Sequence, residues 1–539
     1  MSFSLLDALK RWTLPNLKVF HDRRQLLVWL LALMIGLATG GAAILFRLAI
    51  GLFQWPWLRS VSENVAEAAR SQPWWVVLIA PAIGGLFVGL MLQHLFVAKR
   101  TAAVSDVIET RLNAGRNLSL GQGLLNGVAS ALSLGCGASA GREGPIVHLG
   151  ASIAAAACNR LKLPNAARRV LLASGVAGAV AASFNTPIAG VLFAQEVILG
   201  HFSLTSFVPL VLSSVMATIL SQAWFGNVAA FTVPPYEIAS YLEVPAFMLL
   251  GIVAAAVAIT FQLAVLAADW LARNIDMPLV ARPAVGGLLI GAMAIWFPEV
   301  LGVGYDTTDA ALKSQIPVLM MLVLLLAKIA ATAIALASRF GGGVFSPTLY
   351  LGAMAGGAFG LGADSLFPEI VSSDGLYAIL GMGAVAAAVL GAPISTTIMV
   401  FELTGGFALS LALLLTVAIG NGLANAVLGR SFFQAQLEGR GVLLHEGPHR
   451  ELMKAIRVSD FMQRIDGAPV PLPEADRTRA VRADDTLEAA LRILDLSGSE
   501  RVPVVTPEDR SSIVGWASQV GAMAHFNKEL IAWSVEAHR

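Results

Sequence analysis

The chain has 539 residues with 51 glycines, 56% hydrophobic residues and only 13% charged ones, which excludes both one ordinary soluble domain and a string of them. Lys and Arg number 36 against 35 Asp and Glu, and a net charge of +1 gives no general basic field for nucleic acid. The composition is that of a multi-pass membrane protein, which must catch any ionic partner locally.

Residues 1–25 carry Lys10, Arg11, Lys18, Arg23 and Arg24 ahead of the first apolar run, and no small-residue cleavage site follows it cleanly. The positive-inside rule therefore places this segment in the cytoplasm. Runs free of Asp, Glu, Lys and Arg then cover 26–46, 71–98, 170–195, 197–236, 244–268, 340–363, 375–401 and 403–429. Each is long enough for at least one membrane helix, at roughly 20 residues per crossing. Trp55, Trp57, Trp74 and Trp75 flank these runs and read as interface anchors. Shorter pieces such as 283–298 and 316–327 imply helices that tilt or span part way. Cys136 and Cys158 lie among small apolar residues and suit packing better than a disulfide or a metal site.

Gly and Pro interrupt the apolar sequence at Gly144-Pro145, Thr186-Pro187, Ser346-Pro347 and Ala392-Pro393. Helices are thus expected to start inside the membrane, where irregular backbone is tolerated only if it is buried in protein or lines water. From about Arg440 charges become frequent, and 441–539 reads as a small cytoplasmic α/β domain. Asp484 and Asp485 are its expected helix cap, with Leu487, Leu491 and Leu494 on one face. Strands at 502–505 and 513–516 follow, joined by a turn at 507–509.

The membrane region repeats itself. PIVHLGA from Pro145 matches PTLYLGA from Pro347, and Pro187-Ile188 and Pro393-Ile394 are each followed, nine residues after the proline, by a glutamate, Glu196 and Glu402. Paired interrupted helices in two halves, about 26–236 and 244–440, point to a midplane site in an inverted-repeat transporter.

The glycines before Pro145 and Pro347 let the backbone turn sharply, and each proline suits a first helical turn. Two helix N-termini directed at one spot form an anion site from free N–H groups and dipole ends, without a fixed cation that would hold the ion too tightly. Arg142, Gly144, Gly343, Val344, Phe345 and Ser346 are the candidate anion-binding residues. Glu143 sits beside them, and its carboxylate is an anion able to compete for the site, so its protonation would open a pH-sensitive gate. The alternative is that Arg142 and Glu143 form an ion pair at a helix entry.

The GREGP segment at 141–145, the GGVFSP segment at 342–347 and the run from Phe184 to Glu196 resemble the CLC family of chloride channels and chloride/proton antiporters, over roughly 26–440. The resemblance implies an all-α inverted-repeat bundle with broken helices, a homodimer with one pathway per subunit in the cell inner membrane, Glu143 as the external gate, and the Val344 and Phe345 N–H groups at the central chloride. It implies no resident cofactor, chloride itself being the bound ion.

Three departures stand out. The family's first anion-binding motif should fall near 102–105, where Ser105 is the sole candidate to replace its serine, and Phe433 stands where a tyrosine usually closes the inner side. An internal proton-transfer glutamate is common one position after Glu196, where this chain has Val197. Channel-like or weakly coupled conduction is the expectation, with an antiporter using another proton route as the alternative. The segment from Val458 to Ser518 resembles one CBS module without its ribose-binding aspartate, which favours a structural dimerisation role over nucleotide binding.

His148 and Tyr350, at equivalent points of the repeats, read as packing groups. Lys328 either draws anions to a vestibule or pairs with a buried carboxylate, and Asn117 begins a weak glycosylation pattern. A sodium-coupled carrier would need a larger cavity. An intramembrane enzyme remains a remote rival, because the chain has no HExxH and His94, His148 and His201 lack metal-ligand spacing.

Overall fold

The computed structural model describes residues 25–112, 118–226, 231, 238, 240–369, 371–404, 409–442, 453, 456–465, 470–473, 479–506 and 511–538. The N-terminal basic residues, Asn117 and the turn at 507–509 lie outside the described residues. The chain divides into two compact units, Met1–Phe202 with Ser206–Gln436, and Ser203–Thr205 with Leu437–Arg539.

The first unit is helical. Among the described residues seven helices are long and apolar enough to cross a membrane, and Pro187–Leu199, Ala281–Trp296 and Asp374–Leu390 are shorter apolar helices. The first helix, Gln25–Leu58, has 34 residues. At 1.5 Å per residue it is about 50 Å long, more than enough to cross a hydrocarbon layer about 30 Å thick.

The charge-free runs 170–195 and 375–401 are not single helices. Helix Asn165–Phe184 ends on Asn185 and helix Asp374–Leu390 ends on Gly391, both left-handed, with φ of 61° and 66°. Each turn is followed by a new helix that begins on proline, Pro187–Phe193 and Pro393–Thr404. The sequence repeat is therefore a repeated structural break.

Close crossings hold each half together. A Cβ on Gly150 would lie 2.4 Å from the Gly175 carbonyl oxygen, and one on Gly352 would lie 2.3 Å from that of Gly381. Lipid is as apolar as any side chain, so contact between membrane helices comes from such small-residue packing.

The repeated glutamates tie the halves to each other. Ile188 and Ala189 donate their N–H groups to Glu402 at 3.0 and 2.7 Å, while Ile394 and Ser395 donate theirs to Glu196 at 3.1 and 2.8 Å. Each carboxylate thus satisfies the orphan donors and the positive dipole end of the other half's broken helix.

Trp55, Trp74 and Trp75 are more than half exposed, as interface anchors should be, but Trp57 is buried. Its indole N–H donates to the Gly135 carbonyl at 2.7 Å and satisfies an oxygen at a helix C-terminus.

The second unit is the small α/β fold expected. Strands β1 (Gln463–Arg464), β2 (Val470–Pro471), β3 (Val481–Arg482), β4 (Arg501–Val505) and β5 (Ser512–Ser518) form one sheet in the order β1-β5-β4-β3, with β2 also on β5. Its core holds Val458, Val481, Ala490, Leu494, Val502, Val504 and Ala517. Leu487 and Leu494 are buried as the helical pattern requires, but the cap is Thr486, whose hydroxyl accepts from the Ala489 N–H at 3.3 Å. Asp485 instead accepts from the Arg482 N–H at 2.7 Å and closes the preceding turn.

Candidate functional site

The two glycine-rich loops meet inside the first unit. Gly141 and Gly343 exchange backbone hydrogen bonds, each N–H donating to the other's carbonyl at 2.7 Å, as one antiparallel bridge. Space is tight here: a Cβ on Gly141 would lie 2.6 Å from Glu143 Oε2, displacing the carboxylate, and one on Gly343 would lie 3.0 Å from the Gly144 nitrogen. From this bridge helix Glu143–Arg160 leaves in one half and helix Phe345–Leu366 in the other. The first-turn amides of both have no acceptor within their own helix. Pro145 and Pro347 lie in those turns, where a missing N–H costs nothing.

Glu143 reaches from its own helix to the start of the partner helix. It is 2% exposed, and its Oε1 accepts from Ser346 Oγ at 2.5 Å and from the Tyr305 hydroxyl at 2.9 Å. Its Oε2 has no hydrogen-bond partner. A carboxylate therefore occupies the helix N-terminus at which an anion would sit.

Arg142 turns away from the site. It is paired with Glu63 in the loop between helices Gln25–Leu58 and Val65–Arg70, donates to the Ser183 carbonyl at 3.1 Å, and lies 3.9 Å from Glu143 through its Nε. Its guanidinium stacks on the Tyr305 ring at 4.8 Å. Glu63 also pairs with Arg47 at 2.7 Å. Burial pushes the Glu63 carboxyl up, but the Arg142 and Arg47 guanidiniums outweigh it and hold the group below its ordinary value of 4.5.

Two cavities flank the gate. On one side a vestibule of about 560 Å³ is lined by Arg47, Glu63, Arg142, Phe225 and Tyr305 among others. On the other a cavity of about 20 Å³ reaches from Glu143 and Gly144 past Val344 and Phe345 to Phe432, Phe433 and Gln436. That volume holds about one water or one small ion.

The structure thus brings Glu143, Gly144, Gly343, Val344, Phe345 and Phe433 together around the small cavity and Ser346 onto the gate. Ser105 is fully buried but is not among the groups lining the cavity, where Ala103 and Val104 stand. The backbone there is already engaged, since Ala103 donates to Asp106 at 2.9 Å and Ala102 to Asn126 at 2.8 Å. Val197 and Glu196 lie on the π-helical turn Ala194–Leu199, with Glu196 committed to its capping bonds.

Lys328 reaches no vestibule and no ion pair among the described residues. It is fully buried, donates to the carbonyls of Val300 and Gly302 at 3.0 and 2.9 Å and lies 5.0 Å from the centre of the Tyr350 ring. His148 and Tyr350 are both buried in packing positions. Tyr305, Glu63 and Gln436 are the site residues that sequence reasoning missed. Nothing local marks Tyr305 and Glu63, which meet the site from a short helix and a loop distant in the chain, whereas Gln436 lies one helical turn after Phe433 and could have been read from it.

The model of the voltage gated chloride channel family matches residues 84–425. The chain belongs to the CLC family. It is 34% identical over 410 residues to a putative chloride channel protein of the ClcB-like type from Ralstonia nicotianae, which covers 75% of this chain and 95% of that one. It is also 31% identical over 428 residues to the H(+)/Cl(-) exchange transporter ClcA of Cronobacter sakazakii, over 77% of this chain and 90% of the relative. A slow cyanobacterial Cl-/H+ antiporter has the same fold, with a TM-score of 0.69 at 24% identity over 77% of this chain and 97% of that one. So has a eukaryotic CLC transporter, with a TM-score of 0.69 at 17% identity over 93% of this chain and 98% of that one.

Proposed function

We propose that this membrane protein moves chloride or a similar small anion through one pathway in each subunit of a homodimer in the cell inner membrane, and that Glu143 gates the pathway in response to pH. The observation that carries this reading is the Glu143 carboxylate lodged at the N-terminus of helix Phe345–Leu366, with Ser346 and Tyr305 as its donors. Protonation removes the charge that competes for this helix N-terminus, so a mobile anion can settle near the amides of Val344 and Phe345. The site offers neutral donors, so the ion binds and leaves. Val197 in place of a titratable group supports weak or absent proton coupling. A second reading, a chloride/proton antiporter, draws support from the similarity to the exchange transporter. No resident cofactor enters either reading.

Purified protein in liposomes, followed by an anion electrode as external pH is varied, tests the gate. Wild type is expected to pass chloride faster as the outside is acidified, and Glu143→Gln to be fast at every pH. Identical pH profiles for the two proteins would overturn the proposal.

A further inference from the structure

Away from the anion pathway, an apolar crevice of about 160 Å³ opens between helices Val244–Asn274, Ala281–Trp296 and Val318–Ala337. Leu271, Ile275, Val285, Leu289 and Ile334 line it, and Arg282 is the charged residue in its wall. Leu271, Ile275, Val285 and Leu289 are between 40% and 55% exposed, so the crevice faces outward. Trp270, 67% exposed one turn before its helix ends, marks the depth of the lipid headgroups.

Positive charge gathers at the same level. Arg339, in the turn after helix Val318–Ala337, feels Asp269 together with Arg273, Arg282 and Arg100. Asp269 is shared by Arg273 at 2.5 Å and Arg339 at 3.8 Å, and Arg100 pairs with Asp106 at 2.6 Å. Arg282 has no carboxylate partner among the described residues and donates to the Met277 and Ile275 carbonyls at 3.3 and 3.5 Å. Asp106 and Glu109 both act on Arg100, and Asp269 serves Arg273 and Arg339, so Arg282, with only the exposed Asp276 in the connecting turn nearby in sequence, is the guanidinium of the group left without a carboxylate pair. The backbone of Arg339 is left-handed, with φ of 70°, a conformation glycine adopts more readily, so the turn itself gives no reason for an arginine.

We propose that this crevice binds an anionic phospholipid, with an acyl chain along Leu271, Val285 and Leu289 and the phosphate between Arg282 and Arg339. The apolar lining accounts for the chain, and the Arg282 guanidinium, which has only carbonyl acceptors among the described residues, accounts for the headgroup. A zwitterionic headgroup carries its own cation toward the arginines and loses that advantage. Basic pockets between membrane helices are sites where anionic headgroups bind.

Native mass spectrometry of the full-length protein, released from micelles containing equal phosphatidylglycerol and phosphatidylcholine, tests this. Wild type is expected to retain phosphatidylglycerol in preference to phosphatidylcholine. Arg282→Gln with Arg339→Gln should weaken that retention by about fivefold for each arginine removed. Leu289→Trp, at a half-exposed position of the wall, should fill the crevice and weaken it as well. Equal retention of the two lipids by wild type would overturn the proposal. So would undiminished phosphatidylglycerol in the double variant, or a loss in the double variant that Leu289→Trp does not share, which would mean surface attraction without a chain in the crevice.

Discussion

Tyr305→Phe isolates the latch on the gate. The change deletes one hydroxyl, which donates to Glu143 Oε1 at 2.9 Å, and leaves the ring under Arg142 at 4.8 Å and against Phe231 at 5.4 Å. A hydrogen bond to a charged acceptor is worth about 1.5–3 kcal/mol, so the balance between seated and released Glu143 should shift toward release by roughly 10- to 150-fold. The Ser346 bond at 2.5 Å remains and keeps the gate from failing outright. Chloride efflux from liposomes should therefore quicken at neutral pH, and less acid should be needed for half-maximal flux. Repeating Tyr305→Phe in the Glu143→Gln background closes a double-mutant cycle, and there the substitution should have no further effect. If it accelerates efflux equally in both backgrounds, Tyr305 acts on the pathway by another route and the latch is wrong.

Glu63→Gln strips Arg142, whose side chain is 8% exposed, of its charged partner and leaves Glu143 as the nearest carboxylate, so flux should fall and opening should demand more acid. In the wild type the Glu63 pairing, held by a lowered pKa, persists above the ordinary carboxylate range and is lost only as pH falls through that lowered value. Any pH dependence of flux near neutrality should therefore survive Glu63→Gln, shifted but not abolished. Glu402→Gln leaves the Ile188 and Ala189 amides with a weaker acceptor and should lower the detergent melting temperature by several degrees, with Glu196→Gln giving a similar loss at the equivalent bonds. Gln436→Leu removes a polar group from the lining of the small cavity and should slow chloride relative to a weakly hydrated anion such as thiocyanate, as read from relative permeabilities.

The breaks in the helices were legible because proline and glycine act locally. Pro145, Pro187, Pro347 and Pro393 restrict their own backbone, and the prediction of helices starting inside the membrane needed no partner. The glutamates nine residues beyond Pro187 and Pro393 were legible as a repeat but not as a function. Their meaning lies in reciprocal capping across about two hundred residues, which spacing along one helix does not reveal. Tyr305 and Glu63 were invisible for the same reason. Trp57 followed the pattern of an interface anchor, and only the Gly135 carbonyl at the end of another helix explains why it is buried.

Reciprocal capping also bears on proton coupling. A proton crossing with each turnover needs titratable groups or ordered water between the inner solution and Glu143, since a bare charge in a dry interior is prohibitively costly. Val197 carries no proton, and Glu196 beside it holds the Ile394 and Ser395 N–H groups at 3.1 and 2.8 Å. Protonating Glu196 would weaken two charge-assisted bonds at a helix end, so relay duty and structural duty oppose each other there. The small cavity beside Glu143 has room for about one water at about 20 Å³, with walls that include Val180, Phe193, Phe345 and Phe433, so this cavity by itself holds no chain of waters. A chloride gradient imposed on proteoliposomes should accordingly drive little uphill proton movement while chloride itself passes. Proton pumping at a fixed ratio to chloride, abolished by an uncoupler, would show that another route carries the proton and would install the antiporter reading in its place.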